Sequence, residues 1–186
     1  MNSLLEFEGP VRLSVFIVIF IIMALWELKA PYRKLRLNRA QRWPHQLGLI
    51  ALNTLTVRLL FPVAAVGTAQ YMQQQGWGLM NLPGFNPAIA IITGFLFLDF
   101  AIYWQHVLAH RLDWFWKLHR THHADTDYDL TTGLRFHPLE IILSMLIKML
   151  VILLLGIPAT AVILFEIVLS GSAMFNHSNI RLPETI

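Results

Sequence analysis

Residues 88–110 read AIAIITGFLFLDFAIYWQHVLAH. An α-helix rises 1.5 Å per residue, so this stretch is long enough to cross the ~30 Å hydrocarbon core of a bilayer. No charged side chain precedes Asp99 in it, and it ends in His106 and His110, one helical turn apart. A membrane helix that delivers two imidazoles to its end sets the reading of the rest. Four further apolar segments flank it. They run from about Val11 to Leu28, Leu47 to Ala69, Ile141 to Gly156 and Ala159 to Phe175. The last two are short and separated by Ile157-Pro158, and they predict a tight helical hairpin that spans the membrane or re-enters it. The expected fold is all-α: a polytopic membrane bundle of four to five helices with a His-rich region on its cytoplasmic side.

The composition agrees. The 186-residue chain is 56% hydrophobic and only 13% charged. A soluble domain would carry about twice that charged fraction. The length suits a single domain, 1–186. The net charge of +3 is concentrated between apolar blocks, which argues against a nucleic-acid partner. With no cysteine, thiolate ligands, disulfides and a cysteine nucleophile are excluded. Glu6 and Glu8 precede the first apolar block and the strong positive charge follows it, the pattern of a retained anchor rather than a cleaved leader.

Basic residues orient the helices. Lys29, Arg33, Lys34, Arg36, Arg39 and Arg42 lie between the first two segments, whereas residues 70–87 contain no Lys or Arg. The positive-inside rule places the first and third connections in the cytoplasm. His106, His110, His119, His122, His123, His137 and His177 then share one membrane face, and His45 reads as interfacial. The expected location is an inner membrane if the source is bacterial, or the endoplasmic reticulum membrane if it is eukaryotic. Trp114-Phe115-Trp116 reads as an interfacial anchor or as part of a lipid entry.

His106-x-x-x-His110 and His119-x-x-His122-His123 put five histidines within eighteen residues. Spacings of three and four place side chains on one helical face, so neighbouring imidazoles reach one ion or adjacent ions. Imidazole suits iron, zinc and copper. His177 reads as a further ligand, and His137 as either a ligand or a cap for the helix begun by Pro138 and Glu140. Asp99 shares an arc of roughly 60° with Tyr103, His106 and His110 on a helical wheel. An acid inside a membrane helix needs a partner. Asp99 is therefore either a carboxylate that orients a ligand imidazole or the partner of Arg58, counted to a similar depth. Lys148 and Glu166 lie nine residues either side of the hairpin centre, which predicts an ion pair; Glu166 in the service of the histidine site is the alternative. Asp125, Asp127 and Asp129 read as a solvated loop.

HVLAH (106–110), HRTHH (119–123), TTGLRFHPLE (131–140) and FNHSNIRLP (175–183) together resemble the fatty acid hydroxylase/sterol desaturase superfamily of membrane di-iron enzymes, over about residues 99–183. The resemblance implies two iron ions, with zinc as a substitute, held by His106, His110, His119, His122, His123 and His177. It also implies O₂ as co-substrate, electrons from a carrier such as a ferredoxin or cytochrome, and hydroxylation or desaturation of a lipid C–H bond. A third His-x-x-His-His is expected a few dozen residues after the FNHSNI stretch, so the sequence reads as C-terminally truncated. Two other classes compete: a non-catalytic metal-binding or transport protein, and a zinc-dependent membrane hydrolase, for which HVLAH lacks the general-base glutamate of HExxH.

Overall fold

The computed structural model describes residues 7–183. Glu6 of the N-terminal acidic pair and the terminal residues 184–186 lie outside that range. Seven α-helices follow in order: α1 (Glu8–Lys29), α2 (Arg39–Leu60), α3 (Ala64–Gln75), α4 (Pro87–Arg111), α5 (Asp113–His123), α6 (Pro138–Leu155) and α7 (Ala159–His177). Short 3₁₀ turns occupy Leu79–Asn81 and Thr132–Leu134. No β-strand occurs among the described residues; Pro31 and Ile180 form an isolated antiparallel bridge.

Local chemistry starts these helices where they are needed. Asn86 caps α4, its side chain accepting from the Ala88 and Ile89 amides at 2.9 and 3.2 Å, with Pro87 at the first helical position. Asn38 and Gln41 form a reciprocal capping box at the start of α2. Five segments are long and apolar enough to cross a membrane, α2 and α3 together counting as one. Within each, less than a third of the most apolar window is buried. The remainder exposes residues such as Ile17, Leu55, Ile92, Leu96 and Leu154. An apolar exterior of this kind is matched by lipid, and it fits the multi-pass membrane architecture expected from hydropathy.

The second apolar segment differs from its sequence reading. It is not one helix over 47–69: α2 ends at Leu60 and α3 starts at Ala64. Pro62 lacks an amide hydrogen and disfavours helix in the residue before it, which accounts for the break. The segment also begins earlier, at the Asn38 cap. Arg58 consequently sits in the last turn of α2, whereas Asp99 is midway along α4. Both are exposed, and no ion pair joins them among the described residues. The Arg58–Asp99 pair, one of the two readings of Asp99, is therefore not formed among the described residues.

Helix α4 packs against α5, α6 and α7; α3 packs on α6 and α7; and α1 lies along α7. The main core joins α3, α4, α6 and α7 through Val66, Leu98, Ile152, Ile157, Val162 and Phe165. The α6–α7 hairpin turns at Gly156, whose φ of 68° suits glycine. Its carbonyl accepts from Asn81 Nδ2 at 3.1 Å, and the Ala159 amide donates to Gln73 Oε1 at 3.1 Å. These contacts tie one end of the bundle. At the other end the C-termini of α1, α4, α5 and α7 meet the N-termini of α2 and α6.

Lys148 Nζ lies 2.6 Å from Glu166 Oε1, the pair predicted from the hairpin register. Arg12 of α1 adds a second cation, 2.6 Å from Glu166 Oε2. One carboxylate thus joins three helices. Glu166→Ala strands Lys148 and leaves Arg12 only Glu8, 3.0 Å away, while Lys148→Met leaves the Arg12–Glu166 pair in place. We expect Glu166→Ala to cost about 3–5 kcal/mol, as for a broken buried pair, and Lys148→Met clearly less, by thermal unfolding in detergent. Equal losses would show that Arg12 does not share the load.

Candidate metal centre

Helix α4 carries His106 and His110 to its last turns. A single extended residue, Leu112, turns the chain into α5, whose buried face holds Phe115, His119 and His122. The two His-bearing helices therefore meet at a sharp corner. The His106–His110, His106–His119 and His110–His119 ring centroids lie 4.8, 4.7 and 4.8 Å apart. One ligand nitrogen from each of these three residues lies within 4.8 Å of the other two. His123 joins the group 4.9 Å from His110 and 5.0 Å from His119. His122 continues the cluster 5.0 Å from His123, and His177 at the end of α7 completes it 4.6 Å from His122. The pair, the trio and the distant His177 form one continuous six-imidazole cluster.

Hydrogen bonds fix several of these rings. His119 is fully buried, and its Nδ1 donates to Glu140 Oε1 at 2.7 Å. His122 Nδ1 donates to the Arg135 carbonyl at 3.2 Å, and its ring stacks on Phe136 at 4.8 Å. His177 Nδ1 donates to the Ala173 carbonyl at 2.8 Å. Each of these nitrogens faces an acceptor, so in the neutral ring each carries the proton and Nε2 keeps the lone pair. The Nε2 atoms of His122 and His177 face one another at 2.9 Å. Two lone pairs in that position repel unless a cation lies between or beside them. A separation of this size lets both atoms reach one ion at ordinary metal–imidazole distances of roughly 2.1 Å. The Nε2 atoms of His119 and His123 are also buried and have no partner. Imidazole nitrogens aimed together, with no partner outside the cluster, fit a transition-metal ion.

Two of the donors are held neutral. Burial and the neighbouring His177, His119 and His123 lower the His122 pKa to about 3. His123 is also lowered, by burial and then by His119, His110 and His177. Both rings are therefore unprotonated and available near neutral pH.

The loop between α5 and α6 closes the site, and here the structure overturns an expectation. Asp125, Asp127 and Asp129 are not a solvated loop. The Asp127 and Asp129 residues are buried, and the Asp125 side chain is 3% exposed. Arg42 of α2 donates to Asp125 at 2.6 and 3.1 Å, to Asp129 at 2.7 Å, and to the Asp127 carbonyl. Burial alone would raise the Asp125 carboxyl, but hydrogen bonds from Arg42, Thr132 and Gln46 hold it below its ordinary value. Glu27 of α1, with no exposed surface, accepts from the Leu130 and Asn179 amides at 2.7 and 2.8 Å. Gly133 then lies directly on α7. A Cβ there would sit 2.2 Å from the Ala173 carbonyl oxygen and 3.2 Å from His177 Nδ1.

Other residues fall outside the cluster. Asp99 is exposed and has no hydrogen bond among the described residues; seven residues separate it from His106, roughly 10 Å along the helix. His137 is the N-cap of α6, its Nδ1 accepting from the Leu139 amide at 3.2 Å, and it makes no ring contact with the six among the described residues. His45 is exposed. Trp116 lies 5.4 Å from His110 and 5.5 Å from His123, and so covers one side of the cluster. Sequence reasoning makes Glu140 only a favourable charge at a helix start and misses its burial beside His119. Its place in the TTGLRFHPLE stretch is the one signal that could have found it.

This is an all-α membrane architecture with a histidine cluster at one end of the bundle. The fatty acid hydroxylase family matches residues 91–186, more than half of the chain, and the chain belongs to that family. Alkylglycerol monooxygenase from Homo sapiens is 40% identical over 70 residues, covering 38% of this chain and 16% of that protein. Alkylglycerol monooxygenase from Xenopus tropicalis is 46% identical over 57 residues, covering 31% of this chain and 13% of that protein. The matched stretch thus spans less than a fifth of either relative. No solved structure matches the chain.

The tight seat of Gly133 makes it sensitive to substitution. Gly133→Ala should cost about 1–3 kcal/mol through overpacking and weaken metal binding at His177, read by thermal unfolding and metal titration. A second prediction concerns pH. The folded His122 pKa lies below its unfolded value of about 6.5, so the unfolded chain takes up the proton first. Metal-free protein should therefore lose stability as the pH falls below about 6.5, at up to about 1.4 kcal/mol per pH unit for this one group. His122→Asn should flatten the Tm–pH slope between about pH 6.5 and 5. An unchanged slope would show that His122 does not titrate this way.

Proposed function

We propose that the six-histidine cluster holds two iron ions and that the protein is a membrane monooxygenase acting on a lipid C–H bond. The convergence of imidazoles from α4, α5 and α7 carries this reading. The mutual proximity of His106, His110, His119 and His123 supports one ion site, and the facing nitrogens of His122 and His177 support the other. Iron, when bound, supplies reductive activation of O₂ with electrons from a carrier such as a ferredoxin or cytochrome.

The chain's own contribution is placement and protection. Glu140 and the Arg135 and Ala173 carbonyls orient three of the rings. Trp116 covers one side of His110 and His123, and Phe136 stacks on His122. The exposed face of α4 carries Phe100, Tyr103 and Trp104 toward His106, and offers a lipid chain an approach from within the bilayer. The basic connection Lys29–Arg42 supports placing the cluster in the cytoplasm. The family supports a lipid substrate, and the likeness to alkylglycerol monooxygenase makes a glyceryl ether the first one to test. Hydroxylation is the preferred reaction, with desaturation the alternative outcome at the same site.

The test is purification from membranes without oxygen exposure, metal analysis, and assay of O₂-dependent ether-lipid oxidation with a reductant. We expect bound iron in the wild type. His122→Ala and His123→Ala should each lose most of it, with activity reduced at least about 100-fold. Full activity in those variants would defeat the assignment. Zinc with O₂-independent turnover would move the protein to the hydrolases.

A further inference from the structure

We infer that Glu140 is a positioning residue for metal binding that acts through His119. The inference rests on the reading that the cluster binds metal. Glu140 begins α6, and His119 lies on α5, 21 residues earlier. The Glu140 residue is 3% exposed and His119 fully buried, so neither is solvated. Their one polar contact is the 2.7 Å bond between Nδ1 and Oε1. A carboxylate oxygen only accepts, so the proton stays on Nδ1. In the neutral ring Nε2, which has no partner in the protein, is then the lone-pair nitrogen left for the group that His119 forms with His106 and His110. Without Glu140 the ring is free to take the other tautomer or to rotate. Either change removes a donor from the group.

Glu140 is not itself a member of the close-packed donor group, which comprises His106, His110 and His119. Its second oxygen is buried and has no partner. A carboxylate buried in this way costs free energy, and an apolar residue of similar size would serve packing at least as well. Charge at a helix N-terminus does not require burial. Orientation of a ligand imidazole is the role that uses both the burial and the single directed bond, as in carboxylate–histidine–metal arrangements.

The experiment is Co²⁺ titration of the purified metal-free protein, followed by the cobalt d–d absorption, for wild type, Glu140→Leu, Glu140→Gln, His119→Ala and the His119→Ala double variants. Failure of the wild type to bind Co²⁺ would overturn the metal-centre reading itself. Given wild-type binding, Glu140→Leu should weaken affinity about 10–100-fold while the metal-free Tm is unchanged or raised. Glu140→Gln keeps an acceptor and should recover part of the loss. In the His119→Ala background neither substitution should weaken binding further. Wild-type affinity in Glu140→Leu, or an equal loss with and without His119, would overturn the inference. If Glu140→Leu does not fold, the same cycle with Glu140→Gln decides it.

Discussion

The buried guanidinium of Arg42 is the constraint on which the functional end depends. It joins α2 to a loop more than eighty residues away through two carboxylates and a carbonyl. A buried ion pair rarely contributes much net stability, because desolvation offsets the attraction. Here Trp43, Gln46, Thr131 and Thr132 donate alongside Arg42, so each of the four carboxylate oxygens of Asp125 and Asp129 accepts at least one hydrogen bond. A network satisfied in this way specifies one geometry. Glu27 reinforces it from α1 by accepting amides on both sides of the site, at Leu130 and Asn179. Once the loop is fixed, Gly133 seats on α7 beside His177, Arg135 presents its carbonyl to His122, and α6 starts where Glu140 meets His119. The orientations of His122 and His119 thus descend from one clamp that contains neither ring.

Much of this is legible in the sequence, for reasons specific to each residue. The bundle is legible because sustained hydropathy over eighteen or more residues matches the thickness of a bilayer. The histidine cluster is legible because spacings of three and four force neighbours onto one face, and the topology then brings His177 to the same end. Lys148 and Glu166 are legible because a tight hairpin makes depth a matter of counting from Ile157.

The failures are equally physical. Counting the depth of Arg58 from the onset of hydropathy at Leu47 misplaces it, because the capping box at Asn38 starts the helix two turns earlier and carries Arg58 to its far end. The three aspartates resemble a solvated loop because local sequence holds no sign of a partner 83–87 residues upstream. Glu140 has a sufficient local role at a helix start, so nothing in the sequence asks for a second one. Long-range polar pairing has no period, and only the fold shows it.

The placement of the histidines also follows from backbone electrostatics. Helices α4, α5 and α7 all end at the cluster, and a helix C-terminus carries partial negative charge from its unpaired carbonyls. Three such ends favour a cation where the imidazoles converge. On α7 the Ala173 carbonyl also accepts from His177 Nδ1, which leaves the Nε2 edge of that ring toward His122. Helix α6 enters with the opposite polarity, and its first turn supplies the acid Glu140 rather than a ligand. Arginine and lysine side chains are kept out of the cluster: Arg42 is committed to the aspartates, while Arg111, Lys117 and Arg120 on α4 and α5 do not pair with any of its rings among the described residues. Inward lone pairs and negative helix ends act in the same direction, while burial and the neighbouring rings keep His122 and His123 themselves uncharged.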